Sequence, residues 1–381
     1  MDDPYEELKR LVDNGRLSIL YIDAPPRTVS SAFFRSLAQI VPACAYEPFH
    51  FSSHGFEKGL EVLLERAKEA GVYNTDTPKP IRLVAKEIAR YLPPDSWGKW
   101  VPLVDHFIAI IRDPHVQLHS LVKRAANDMF YGKYGASGLS DEQVWRLAEK
   151  IGNIFKEGGS IAGRPVSGDF DRTSWRSLSE HLATLDAHLH DNLQKRATVV
   201  DGFLLRSMPH AVMSELVEQL GIRCDAEMLQ KSVSGWNANA TAPIKRPDCD
   251  DDDAYRTRVN ASTGYEPPLE ETPPLRMFPA VFQDHLKHIA LPIYVDFLRR
   301  PCRVGPRSPQ ALSFLFKHKI GNVTLAERNP VTAYALLASL NKEMLENSEQ
   351  HELVEQLEGL SKQFPDHTAA FRIIDEVISG Y

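Results

Sequence analysis

Cysteine is scarce. The four in 381 residues, Cys44, Cys224, Cys249 and Cys302, are scattered and form no C-x-x-C pair. That pattern excludes a disulfide framework or a zinc site and makes a reducing, cytoplasmic compartment the expectation. Long apolar runs are missing too. None approaches the ~20 residues of a membrane span. The opening Met1-Asp2-Asp3-Pro4-Tyr5-Glu6-Glu7 is acidic where a signal peptide is basic and then apolar, so no membrane partner is expected. Positive charge is not in surplus: 44 Lys and Arg face 51 Asp and Glu, a net charge of −7. This excludes the broad basic surface of a general nucleic-acid binder, though not a local basic pocket. The Walker pattern G-x-x-x-x-G-K-[ST] is absent, so a magnesium-bound nucleoside triphosphate is not the first expectation. What is present is ordinary globular composition, 43% hydrophobic and 25% charged. At ~150 residues per domain the length suits two or three domains, or one large domain with additions.

Short apolar, partly β-branched runs punctuate the chain. Leu17–Ile22 reads as a buried strand, Asp23–Ser31 as a polar, proline-containing loop, and Ala32–Ile40 as a helix with Phe33, Leu37 and Ile40 on one face. Ile81–Ala85, Phe107–Ile111 and Ala197–Asp201 repeat the strand signal, each followed by a polar turn and a helical pattern. After the last, Pro209–Leu220 carries Val212, Leu216 and Leu220 on one face and stops at Gly221. Repeated β-then-α units predict an α/β fold of three layers, α/β/α, around a central parallel sheet. From about Pro301 the strand signals cease. Helices are expected over Pro330–Leu345, Gln350–Phe364 and His367–Ile378, with Asn329 as N-cap before Pro330. The expected organisation is an α/β domain over residues 1–300 and a C-terminal helical extension over 301–381. Leu353, Leu357 and Leu360 pack either on the core or against a second copy in a homodimer; periodicity does not separate the two.

Pro25-Pro26-Arg27-Thr28-Val29-Ser30-Ser31 lies between the first strand and its helix. Free N–H groups and the dipole at a helix start favour an anion. Arg27 adds a cationic fork, and Thr28, Ser30 and Ser31 add hydroxyls. The same residues also suit a plain Ser/Thr-rich helix start with a solvated Arg. A second segment decides between these. Phe107–Ile111 runs into Arg112-Asp113-Pro114, and Ser120 follows eight residues after Arg112. With both segments in view the chain resembles the sulfotransferase superfamily, which uses 3′-phosphoadenosine 5′-phosphosulfate (PAPS). Pro26–Ser31 matches that family's P-[KR]-[ST]-x-[ST]-[ST] loop, and Arg112-Asp113-Pro114 with Ser120 matches its R-[DN]-P segment and serine. Val199–Leu204, Pro209 and the helix to Gly221 resemble a later family segment. Glu47-Pro48-Phe49, Lys86-Glu87-Ile88 and Tyr255–Tyr265 look like a microbial and fungal branch. The likeness covers roughly residues 15 to 300. It departs where animal cytosolic members place a catalytic His two residues after the Lys, here Ile88, and where they carry a late R-K-G segment.

The resemblance implies PAPS as cofactor. The 5′-phosphosulfate would be held by Arg27, Thr28, Val29, Ser30, Ser31 and Ala32, and the 3′-phosphate by Arg112 and Ser120. It implies transfer of a sulfuryl group to a hydroxyl or amine of a small-molecule acceptor, and makes Lys86 the candidate for bridging to the leaving oxygen. In-line transfer between two oxygens rests on positioning and charge stabilisation, plus a base for the acceptor. Three residues are candidate bases: Glu87, beside Lys86; His106, before the strand that ends at Arg112; and His50, after Glu47-Pro48-Phe49. No H-e-x-x-h-type spacing marks a metal site among the 14 histidines, His188 and His190 included, and the acidic run Asp250–Asp253 reads as a solvated loop. Two other functions compete on this architecture: a small-molecule kinase, and a non-catalytic or repurposed relative that keeps the fold.

Overall fold

The computed structural model describes residues 3–49, 55–74, 79–89, 92, 94–131, 140–157, 160–161, 164–165, 179–181, 183–184, 196–236, 262–340 and 347–380. The acidic run Asp250–Asp253, the segment Tyr255–Ala261, and His50, His188 and His190 lie outside them. The described chain forms two compact units, one of Met1–Ile110 with Ser177–Tyr265, the other of Ile111–Arg176 with Glu266–Tyr381.

The first unit opens with a helix the sequence reading did not anticipate, α1 (Pro4–Asp13). It starts where Asp3 caps the N–H of Tyr5, with Pro4 in the first turn. Then come β1 (Leu17–Ala24), α2 (Ser30–Leu37), β2 (Ala43–Tyr46), α3 (Gly55–Glu69), β3 (Ile81–Ile88), the single turn α4 (Trp97–Trp100) and β4 (Val104–Ile111). β5 (Arg196–Asp201) follows, with α7 (Gly202–Ser207), α8 (Pro209–Gln219) and α9 (Ala226–Val233) after it; α5 (Pro114–Tyr131) and α6 (Asp141–Glu157) belong to the second unit. The strands form one sheet in the order β2-β3-β1-β4-β5. β1 pairs in parallel with β3 (Leu17↔Ile81 to Ala24↔Ile88) and with β4, and β2 with β3. The step from β1 out to β2 and the step back to β3 run in opposite directions across the sheet. Right-handed crossovers then put α2 and α3 on opposite faces. α1 packs on α3, while α9 bridges α2 and α8, so both faces are covered. This is the expected parallel α/β sheet flanked by helices.

The strands run further than their apolar cores suggested. β1 continues through Asp23 to Ala24, β3 through Lys86 and Glu87 to Ile88, and β4 begins at Val104 rather than Phe107. Polar residues enter a buried strand wherever each finds a partner, so a scan for apolar runs stops short of the true ends. β2, with the sequence Ala-Cys-Ala-Tyr, is too short and too weakly β-forming to register in such a scan. The connections out of β1 and β4 lead to opposite sides of the sheet. The C-terminal ends of these two strands are therefore the switch point at which open α/β sheets bind ligands.

In the second unit α5 (Pro114–Tyr131) and α6 (Asp141–Glu157) share a core of Leu118, Val122, Val144 and Ile151 with Phe278, Phe282 and Leu286. The C-terminal helices are α10 (Pro330–Ala338), α11 (Asn347–Gln363) and α12 (Thr368–Ser379). Asn329 holds the N-cap position of α10 as expected, but its side chain makes no capping bond. One expectation is corrected here. The sequence predicts a tail free of strands, yet Lys319–Ile320 pairs antiparallel with Val323–Thr324. The connection is the two-residue turn Gly321-Asn322, with Gly321 at φ 68°. Gly-Asn is a turn pair that permits a tight hairpin, and the helical periodicity around it masked that signal.

Candidate functional site

The chain leaving β1 folds into a strained loop. Arg27 and Val29 both sit at φ 70°, a left-handed backbone that is a genuine outlier for a β-branched residue such as Val29. Left-handed residues set among right-handed ones turn successive N–H groups inward into an anion-binding concavity. The Thr28 hydroxyl is buried and donates to the Pro25 carbonyl at 2.8 Å, so it closes the loop. Val29 is the N-cap of α2 and supplies no capping side chain. The first N–H groups of α2 have no side chain of the N-cap to satisfy them. Ser30 and Ser31 are buried in that first turn, and Ala32 is half-buried. Ser31 Oγ is 2.7 Å from the Tyr46 hydroxyl, which ties the start of α2 to the end of β2.

At the end of β3 successive side chains point to opposite faces. Lys86 is 2% exposed and donates to Glu47 Oε1 at 2.5 Å, with Glu47 equally buried. Its ammonium also stands 4.7 Å over the Tyr46 ring, a cation–π contact. Glu47 itself has φ 48°, and its N–H donates to the Lys86 carbonyl at 2.6 Å. Ser31, Tyr46, Lys86 and Glu47 are thus one connected group. On the other face Glu87 is fully buried and accepts from the N–H groups of Phe49 at 2.8 Å and Ile88 at 2.9 Å. Burial, reinforced by the nearby Glu47 carboxylate, pushes its carboxyl up to about 8, against the pull of the Ile88 N–H, Lys86 and the Phe49 N–H. Near neutral pH it is mostly a protonated acid, ill suited to take a proton.

The register puts Asp23 beside Glu87 on that same face. The sequence places Asp23 at the start of a polar loop. It is instead the penultimate residue of β1, fully buried, with Oδ2 accepting from His181 Nδ1. The His181 ring stacks on Trp97, with centroids 3.9 Å apart and planes 9° from parallel. Neither Glu47, Asp23 nor His181 was assigned a catalytic or binding part from the sequence. A carboxylate directly after an apolar strand run was the available signal for Asp23. Nothing in spacing marks His181, which is more than 150 residues away.

The structure does not bring His106 to this edge. It lies within β4, opposite Leu20 of β1, while Asp23 is opposite Ala109, three residues nearer the ligand end of the sheet. His106 Nε2 is 2.7 Å from Thr198 Oγ1, and Thr198 in turn donates to Gln219 Oε1 at 3.1 Å. With the hydroxyl proton committed to Gln219, the ring must donate from Nε2, which leaves that nitrogen no lone pair for catalysis. Burial, with Arg196 and Arg82 nearby, lowers its pKa to about 4. In the second unit Arg112 is the first residue after β4, is 9% exposed and pairs with Glu270 at 3.1 Å. Ser120 is half-buried on α5.

No known protein family matches the chain, and no curated protein matches it. Among solved structures it is similar to the mouse sulfotransferase SULT7A1 complexed with PAP, at 13% sequence identity and a TM-score of 0.31, over 67% of this chain and 86% of that one.

Proposed function

We propose that the protein is a PAPS-dependent sulfotransferase that transfers a sulfuryl group to a hydroxyl or amine of a small-molecule acceptor. The observation that carries this reading is the β1–α2 loop. Two left-handed residues, one of them an arginine, precede a helix start with no side-chain cap, at the sheet's switch point. Such a loop fits the terminal anion of the cofactor. Arg27 and the N–H groups of residues 29–32 would hold the 5′-phosphosulfate, with Ser30 and Ser31 beside them. Lys86 would offer positive charge to the departing oxygen. Arg112 already pairs with a carboxylate, Glu270, the kind of partner a 3′-phosphate would replace, and Ser120 would add a hydroxyl. The cofactor supplies the activated sulfuryl group; positioning and charge come from these residues.

One observation favours a second reading, a relative that keeps the fold as a binding protein. Lys86 is neutralised by Glu47 with both side chains 2% exposed, and a ligand would have to compete with that pair. Calorimetry separates the readings. Losing a charge-assisted contact worth ~1.5–3 kcal/mol weakens binding about ten- to hundredfold. Arg27→Ala should weaken both adenosine 3′,5′-bisphosphate and adenosine 5′-monophosphate by that factor, and Arg112→Ala should weaken the bisphosphate far more than the monophosphate. Equal losses for the two ligands in Arg112→Ala, or no binding by the parent, would overturn the assignment. Bisphosphate binding without sulfuryl transfer would favour the binding protein.

A further inference from the structure

The proposed reaction needs a group that takes a proton, and the sequence offers Glu87, His106 and His50. Glu87 is mostly a neutral acid with an N–H on each oxygen. His106 sits opposite Leu20, three residues short of the ligand end of the sheet, and His50 lies outside the described residues. We propose that His181, oriented by Asp23, is the proton acceptor at the ligand end of β1. The chemistry assigned to the pair rests on the sulfotransferase reading; its geometry does not.

Five observations support the pair. Asp23 is fully buried at the penultimate position of β1, two residues before the strained loop begins at Pro25. A buried carboxylate needs a strong donor, and His181 Nδ1 is that donor. The ring is fixed a second way, by its parallel stack on Trp97. With Nδ1–H committed to Asp23, the lone pair of the neutral imidazole sits on Nε2. Nε2 makes no hydrogen bond among the described residues, and the side chain keeps 11% of its surface exposed. Finally, Asp23 Oδ1 and the Tyr21 hydroxyl are buried without partners among the described residues, on the same face and two residues apart. A carboxylate serving only to pin a helix turn to the sheet would have its remaining oxygen satisfied.

The step balances. As the acceptor oxygen or nitrogen bonds to sulfur, its proton passes to His181 Nε2. The sulfur–oxygen bond to the 5′-phosphate breaks, and its electron pair leaves with the bisphosphate. The resulting imidazolium is stabilised by Asp23 and returns its proton to water.

The tautomer is the first test, and it needs no turnover. ¹⁵N NMR of the full-length protein should show His181 protonated at Nδ1 and bare at Nε2, and Asp23→Asn should abolish that preference. A proton on Nε2 of the neutral ring would overturn the proposal. The second test is kinetic, with PAPS as donor and 2-naphthol as hydroxyl probe. His181→Ala should lower kcat by roughly 10²–10⁴-fold while the Kd for the bisphosphate stays within about twofold. Added imidazole should restore part of the rate, which no purely structural role predicts. Undiminished kcat, or a loss that imidazole never relieves in a variant that still binds bisphosphate, would refute the base. A parent protein that binds no bisphosphate would instead refute the sulfotransferase reading, and the tautomer would still decide the pair.

Discussion

Lys86 and Glu87 are chain neighbours with opposite tasks, and the pleat explains why. Adjacent strand residues face opposite sides, so one side chain meets Tyr46 and Glu47 while the other meets Phe49 and Asp23's face of the sheet. The sequence flagged both residues but not their partners, because Glu47 lies 39 positions from Lys86. Residue type carries the capacity for chemistry; protonation state comes from neighbours that only folding supplies. The raised Glu87 pKa has a testable sign. The folded protein holds this proton between the ordinary glutamate value, about 4.3, and about 8, while the unfolded chain releases it. Its contribution to stability is therefore full below the lower value and is lost as pH rises through the window. Glu87→Gln lacks this proton equilibrium. Urea unfolding of parent and variant at pH 5 and pH 8.5 should show the stability difference moving in the variant's favour at the higher pH. A gap that does not change with pH would mean that Glu87 is not protonated in the folded state.

The β1–α2 connection shows how an element can be legible in type and illegible in conformation. Its position after an apolar strand and before a helical pattern was plain, while its Arg and hydroxyl residues suited an anion loop and a plain helix start alike. Val29 occupies a motif position with no side-chain requirement, and no propensity argument puts a valine at φ 70°. The backbone there is dictated by closure, through the Thr28 hydroxyl on the Pro25 carbonyl and the N–H of Phe33 on the Val29 carbonyl. A left-handed non-glycine residue costs about 1–2 kcal/mol. Val29→Gly should relieve that strain and raise the free energy of unfolding by roughly 1 kcal/mol, less the entropy glycine adds to the unfolded chain. The released loop should bind the bisphosphate a fewfold more weakly, since its N–H groups are no longer held in place. Urea titration and calorimetry on one preparation would check both. A variant less stable than the parent would show that the valine side chain holds the loop by packing rather than under strain.

At the scale of the whole molecule, periodicity located most strands and the late helices, but it carried little about what those helices meet. Asp113 shows why. In the motif it is the middle residue of the R-[DN]-P segment, with no role assigned to it. In the structure it is a fully interior carboxylate that accepts from the His115 N–H at 2.8 Å, from Thr272 at 3.1 Å and from Thr332 at 3.0 Å. Thr332 lies 219 residues away in α10, so one side chain ties the start of α5 to the C-terminal helices within the second unit. Burial alone would raise its pKa; the His115 and Thr332 hydrogen bonds outweigh that and hold it below the usual aspartate range. Asp113→Ala would leave three donors without their acceptor in a dry interior and should cost on the order of 3 kcal/mol. Thr332→Val, which removes one donor and keeps the shape, should cost about 1 kcal/mol. The double variant should fall short of the sum, because the two residues share the bond. The pH dependence has the opposite sign to that of Glu87. A carboxyl with a depressed folded pKa stabilises above its unfolded value, about 3.9, and that contribution is lost as pH falls through the folded value. The parent should therefore lose more stability than Asp113→Ala on acidification below pH 4. Thermal unfolding of the three variants and the parent, at pH 7 and in mild acid, measures all of this. Strict additivity of the two substitutions would show that the C-terminal helices are held to α5 by packing alone.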